Sequence, residues 1–79
     1  MSKNETFKNL KINKLKLVLM DLGITQTEFA ERIGKSRNTI SRICNNTSQP
    51  SLELLWQISL ELGVDIRELL YQSIPKSEK

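Results

Sequence analysis

Apolar residues return every three or four positions in several separate stretches of this chain, and glycines, hydroxyl residues and prolines stand in the gaps. Ile12, Leu15, Val18, Leu19 and Leu22 form the first stripe, which predicts a helix over residues 10–22 with Gly23 as its left-handed cap. Leu17 and Met20 fall off that stripe; they either widen its contact with the core, the favoured reading, or leave an exposed apolar edge for a partner chain. Thr25-Gln26-Thr27-Glu28 has the spacing of a capping box, and Phe29, Ala30 and Ile33 give the second helix an inward face that stops at Gly34. Ser36 caps a third helix from Arg37 to about Cys44. At about 100° per residue, Ile40, Ile43 and Cys44 share one side of it. Asn38, Ser41, Arg42 and Asn45 share the other, with Arg37 and Thr39 at its edges.

Residues 46–50 are polar turn chemistry, and Ser51 caps a fourth helix over 52–62 whose inward stripe reads Leu52, Leu55, Ile58, Ser59 and Leu62. After Gly63, Asp65-Ile66-Arg67-Glu68 has capping-box spacing again and predicts a short fifth helix through about Tyr71. No stretch reads as a strand. The expected fold is all-α: a compact five-helix domain over 10–72, between a flexible basic arm at 1–9 and a disordered tail at 73–79. For the arm, a solvated terminus is the simpler reading than a phosphate contact.

Composition narrows the function. A chain of 79 residues holds one domain with a small core. It has no His and one Cys, so it has neither the usual general base, nor an internal disulfide, nor a metal-ligand spacing; no enzyme, metal or cofactor is expected. The apolar stretch near the start is broken by Lys11, Asn13, Lys14, Lys16 and Asp21, which excludes a signal peptide or a membrane span and suggests a cytoplasmic protein. The net charge of +3 says less than its distribution. The first sixteen residues hold five Lys and one Glu, and residues 32–52 hold Arg32, Lys35, Arg37 and Arg42 with no Asp or Glu. From Pro50 onward, five acids face three bases. Cations gathered in the front two thirds form a nucleic-acid footprint, and an acid-free helix rich in cations and amides is its centre.

Two helices crossing at a tight turn need a small residue where they meet, a glycine at the turn and a branched apolar residue beneath. Ala30, Gly34 and Ile40 stand at that spacing. Here the chain resembles the lambda-repressor-like, Cro/C1-type (XRE family) helix-turn-helix domains. The resemblance rests on GITQTEFAERIGKS (23–36), TISRI (39–43), QPSLE (49–53) and LGVDIRELL (62–70), and covers about 12–70. It implies that the third helix enters the major groove of double-stranded DNA, that Gln26 meets a phosphate, and that a homodimer binds a roughly palindromic operator. The implied activity is transcriptional regulation, as a repressor.

On chemical grounds Arg37 and Arg42 suit guanine, Asn38 suits adenine, Thr39 suits a thymine methyl, and Ser41 is a less specific base contact. Gln26, Lys35, Ser36, Asn45, Asn46 and Thr47 are expected at phosphates, setting register. The main alternative is an antitoxin or other interaction module using the same fold to bind a protein through the fourth and fifth helices or the tail. Only eight residues follow Tyr71, which leaves little for such a segment.

The chain departs from the family at two positions. Many members carry an Arg four residues before the glycine that ends the first helix, paired with a Glu at the end of the third; here these are Leu19 and Cys44. Replacing both members of a buried ion pair by apolar groups is often neutral, so Leu19 and Cys44 are expected to meet in the core, with Cys44 a structural thiol. Trp56 lies at the edge of the fourth helix's stripe and reads equally as core cover or as a dimer anchor; Tyr71 and Ile74 are further interface candidates.

Overall fold

Helix capping organises the chain as the sequence suggests. The computed structural model describes residues 10–74. Four α-helices run in order, α1 (Leu15–Leu22), α2 (Gln26–Ile33), α3 (Arg37–Cys44) and α4 (Leu52–Leu62), followed by one turn of 3₁₀ helix, Ile66–Leu69. The expected arm at 1–9 and most of the expected tail, 75–79, lie outside the described residues. No helix among the described residues is long and apolar enough to cross a membrane.

Thr25 Oγ1 accepts the Glu28 N–H at 3.0 Å while the Glu28 carboxylate accepts the Thr25 N–H at 2.9 Å, completing the capping box of α2. That bond from the Thr25 backbone holds the Glu28 carboxyl below its ordinary pKa. A lowered carboxyl pKa adds stability above the usual carboxylate range and loses it as pH falls through the lowered value. Thr25→Ala is expected to reduce folding stability by about 1 kcal/mol in urea unfolding at neutral pH, with Thr25→Ser recovering most of it; an unchanged midpoint would contradict the capping role. The Ser36 and Ser51 hydroxyls accept the Thr39 and Leu54 N–H groups and so cap α3 and α4, without a reciprocal side-chain bond.

The core is one cluster drawn from every element: Leu15 and Leu19 of α1, Phe29 and Ala30 of α2, Ile40, Ile43 and Cys44 of α3, Leu55 and Ile58 of α4, and Leu69. Leu19 and Cys44 are both buried in that cluster, and α1 packs on α3. Burial pushes the Cys44 thiol up to about 11, with Lys16 opposing weakly. The raised value favours the neutral thiol in the folded state, so its contribution to stability is present below the ordinary thiol pKa and is lost as pH rises through about 11. In the native protein Cys44 is expected to resist iodoacetamide and to react only once denaturant is added, as mass spectrometry would record. Rapid native alkylation would count against a core thiol.

Five expectations are corrected. The first helix starts at Leu15, not Leu10, because Asn13 takes the backbone elsewhere. Its Oδ1 accepts the Leu15 N–H at 3.0 Å, and residues 12–14 pair with the C-terminal segment through Lys14 N–H to Leu69 O (2.7 Å) and Tyr71 N–H to Ile12 O (3.0 Å). An Asn side chain that bonds its own backbone competes with helix formation. Leu17 and Met20 do not widen the core; they are 51% and 67% exposed. Among the described residues there is no fifth α-helix, because Leu70 leaves the 3₁₀ turn in extended conformation to bridge Asn13. The second capping box does not form either: Asp65 accepts from Arg67 N–H at 2.8 Å and pairs with the Arg67 guanidinium, while Glu68 N–H goes to the Asp65 carbonyl. Finally, Leu52 stands outside the core at 74% exposed, although Leu55, Ile58 and Ser59 lie inward as expected and Leu62 is half-buried.

Candidate nucleic-acid interface

Helices α2 and α3 make the most extensive helix pair in the domain, and the turn between them sets the angle of α3. Gly34 closes α2 with φ of 73° and donates its N–H toward the Ala30 and Glu31 carbonyls. A Cβ there would meet nothing within 4 Å, so glycine is required by backbone conformation and not by crowding. Lys35 N–H then returns to Ala30 O at 2.9 Å, and Ser36 starts α3 at once. Ile40 is fully buried beneath the turn, with Ile43 and Cys44 beside it.

With that face committed to the core, the rest of α3 faces outward. Arg37, Asn38, Arg42 and Asn45 are exposed, and Thr39 and Ser41 are half-buried at the margins. Lys35 and Ser36 are exposed at the entry to the helix, Thr47 at its exit, and Gln26 is half-exposed at the start of α2. The first turn of α3 holds no acid and begins with Arg37. A cation at the positive end of a helix dipole is unfavourable by a few tenths of a kcal/mol or more until an anion arrives. The free N–H groups of that first turn are ready donors for a phosphate.

The structure also shows which donors are already used. The Ser36 hydroxyl accepts from Thr39 N–H at 3.0 Å and donates to Thr39 Oγ1 at 2.9 Å, so it serves the cap first. The Thr47 hydroxyl donates to Arg42 O at 3.1 Å. Asn46 is the most heavily bonded of these side chains. It has φ of 60°, and its Oδ1 accepts from Ile12 N–H, Asn13 N–H, Asn13 Nδ2 and Gln49 Nε2 at 2.9–3.1 Å. Its Nδ2 donates to Asn13 O at 3.1 Å. The Asn46 amide is therefore a clasp fixing the end of α3 to the N-terminal segment, with one of its two side-chain N–H groups committed to Asn13 O.

Asn13 is the other half of the clasp and went unnoticed in the sequence, where it read as one polar break in an apolar stripe. It is 2% exposed, and its Nδ2 donates to Ile43 O at 3.0 Å and Gln49 Oε1 at 2.8 Å as well as to Asn46. No buried side-chain polar atom is left without a partner among the described residues. The clasp brings Lys11, Lys14 and Lys16 around a hollow shared with Asn45 and Asn46, extending the cationic surface past the end of α3. The lysine-rich start of the sequence was the signal for this, but only the fold joins it to α3. Lys14 also lies over the Tyr71 ring, 5.6 Å from its centroid, so Tyr71 belongs to the α1 side of the molecule. Ile74 is 76% exposed, and Trp56, at 58%, covers the core only in part.

Comparison with known proteins agrees with this architecture. A helix-turn-helix family model matches residues 15–69. A stretch of 57 residues is 37% identical to an uncharacterized HTH-type transcriptional regulator of Methanocaldococcus jannaschii, covering 72% of this chain and 86% of the archaeal protein. Among solved structures, a candidate DNA-binding protein from Bacteroides fragilis superposes with a TM-score of 0.74 at 47% identity, over 76% of this chain and 97% of the other. The hypothetical transcription factor NHTF from Neisseria does so with 0.66 at 25% identity, over 82% and 71%. The chain belongs to the helix-turn-helix family, of the Cro/C1 type.

Proposed function

We propose that this protein is a sequence-specific, double-stranded DNA-binding regulator of transcription that acts as a repressor, binding a palindromic operator as a homodimer. The observation that carries the reading is the outward face of α3, exposed, free of carboxylates and held at a fixed angle to α2 by the Gly34 turn. Its relatives are described as a transcriptional regulator, a transcription factor and a candidate DNA-binding protein.

In this mechanism α3 enters the major groove. Arg37 and Arg42 offer planar donor forks to guanine O6 and N7, and Asn38 pairs with adenine N6 and N7. Thr39 meets a thymine methyl, and Ser41 makes a less selective base contact. Gln26, Lys35, Asn45 and the first turn of α3 beside Ser36 hold phosphates and so set register, with Thr47 at the margin. The work on the operator is steric exclusion of other proteins and needs no cofactor.

Selection of bound sites from random duplex DNA tests this directly. A two-fold-symmetric consensus with half-sites about one helical turn apart is expected; no enrichment even at low salt would refute DNA recognition. A reporter gene with that consensus in its promoter should fall in expression when the protein is produced, and a rise would mean activation instead. Lys35→Ala is expected to weaken binding alike across operator variants and to lower the salt dependence by about one phosphate contact. A change in base preference would move Lys35 to the bases.

A further inference from the structure

Beside the end of α3, the clasp borders a hollow of about 410 Å³ in which two kinds of wall meet. Lys11, Lys14 and Lys16 supply cations, and Leu17, Met20 and Tyr71 supply apolar surface. That apolar wall is open to solvent, at 51%, 67% and 42% exposure. We propose that the hollow is a binding site for a small amphipathic anion, an organic molecule with a carboxylate or phosphate head and an aromatic or short aliphatic body.

The charge of the hollow is uncompensated. No Asp or Glu stands among the described residues that line it, and none of the three lysines forms an ion pair with a described residue. Two adjoining hollows that share Lys14 differ on this point: one contains Asp21 and Glu68, the other Asp65 and Glu68. A concave surface lined by one sign of charge concentrates the opposite ion. The lysines are also held in place. The Ile12, Asn13 and Lys14 N–H groups are all bonded within the fold, which pins the backbone bearing Lys11 and Lys14, and Lys16 stands in the first turn of α1. Ordering them around a ligand therefore costs side-chain freedom only. The exposed Asn45 adds an amide donor to the same rim.

The apolar wall is what distinguishes this site from a plain phosphate contact. A phosphate needs cations and amides, and gains nothing from Leu17, Met20 or an aromatic ring. An organic body laid on these side chains removes their surface from water while its head reaches the lysines. Lys14 already lies 5.6 Å from the centroid of the Tyr71 ring, so cation and apolar wall are adjacent. The volume falls within the roughly 300–1,000 Å³ of small-molecule pockets. The other exposed apolar surface, the ridge of Leu52, Trp56 and Leu60, lies on α4, a helix with Glu53 and Glu61 and no Lys or Arg, and repels an anion. Because Asn45 belongs both to the hollow and to the operator-facing surface, a bound anion competes with DNA. That consequence rests on the function proposed above; the binding itself does not.

Binding is measured first on the full chain without DNA. The probe is anilinonaphthalene sulfonate, an anionic head on an aromatic body, whose emission rises in an apolar site. Saturable binding with a Kd on the order of 10–100 µM is expected. Decanoate and phenyl phosphate should displace the probe and so rank the two heads, and inorganic phosphate at the same concentration should not. The double variant Lys11→Ala, Lys16→Ala and the single variant Met20→Glu, all at exposed positions, should each bind about tenfold more weakly with unchanged helical circular dichroism. Leu60→Glu should bind like the wild type. Absence of saturable binding would overturn the proposal, as would wild-type affinity in the folded hollow variants, loss of binding in Leu60→Glu alone, or equal displacement by inorganic phosphate. Operator DNA is added second. Saturating decanoate should weaken operator binding by about tenfold at fixed salt, the loss of one or two phosphate contacts. Unchanged operator affinity would overturn the competition and leave recognition by α3 intact; no operator binding at all would refute the DNA-binding reading and the competition with it, but not the site.

Discussion

Replacing Asn13 by Ala is expected to destabilise the domain by about 3 kcal/mol, although Asn13 is far from any chemistry a sequence motif would flag. The side chain is buried, and each of its polar atoms is engaged. Without it, the Leu15 N–H loses its acceptor, the Ile43 carbonyl keeps only the Asn46 N–H, and the Gln49 Oε1 loses its Asn13 donor, at roughly 1–3 kcal/mol for each buried group left unsatisfied. Asn13→Asp gives a second, sharper expectation. It keeps the acceptor for Leu15 but turns a donor into a carboxylate oxygen facing Ile43 O, Asn46 Oδ1 and Gln49 Oε1, so it should be at least as damaging at neutral pH. Urea unfolding followed by circular dichroism measures both. A loss below about 1 kcal/mol for Asn13→Ala would mean that water substitutes for the amide and that the clasp is dispensable. Because the clasp fixes the residue just past α3, the Ala variant should also bind operator DNA less tightly while still folded.

Arg42→Ala and Asn38→Ala should behave in the opposite way, with folding stability within about 0.5 kcal/mol of wild type and a loss of operator affinity on the order of 1–3 kcal/mol per half-site. Both side chains are exposed on the acid-free face of α3, and none of the internal hydrogen bonds of the described residues uses the Arg42 guanidinium or the Asn38 amide. Their loss should relax base preference at one operator position each, which separates them from Lys35, whose loss is expected to be felt equally everywhere. Competition binding against a panel of single-base operator variants reads this. If Arg42→Ala weakened every variant by the same factor, its contact would be to a phosphate. For Arg42 the backbone matters separately: its carbonyl accepts from Thr47 N–H and Ser48 N–H, and these bonds survive substitution of the side chain.

The distance between those two predictions measures what could be read in advance. The α3 surface was legible because its chemistry is compositional: Arg37, Asn38 and Arg42 on one arc, Ile40, Ile43 and Cys44 on the other, and no carboxylate nearby. The caps at Thr25, Ser36 and Ser51 were legible because a cap bonds to an amide two or three residues away, so its whole mechanism lies within a short window. The glycine turn at Gly34 was legible for the same reason.

Asn13 was not, because its partners Ile43, Asn46 and Gln49 are 30 to 36 residues away. Leu52 was misread for a related reason. Helical periodicity finds a stripe, but a residue at the margin of the stripe is buried only if another element happens to reach it, and none reaches Leu52. Leu17 and Met20 failed in the same way.

The sequence by itself therefore determined the four helices, their caps, the turn between α2 and α3, and the chemistry of the outward face of α3, all of which depend on neighbours within about one or two helical turns. The tertiary structure decided where the first helix starts, that the fifth is only a 3₁₀ turn, and that the Asn46 amide is tied to the N-terminal segment. It also decided that Trp56 stands with Leu52 and Leu60 on an uncovered ridge. Each of these turns on whether a polar group or an apolar surface finds a partner from a distant part of the chain, and that is settled only when the core closes.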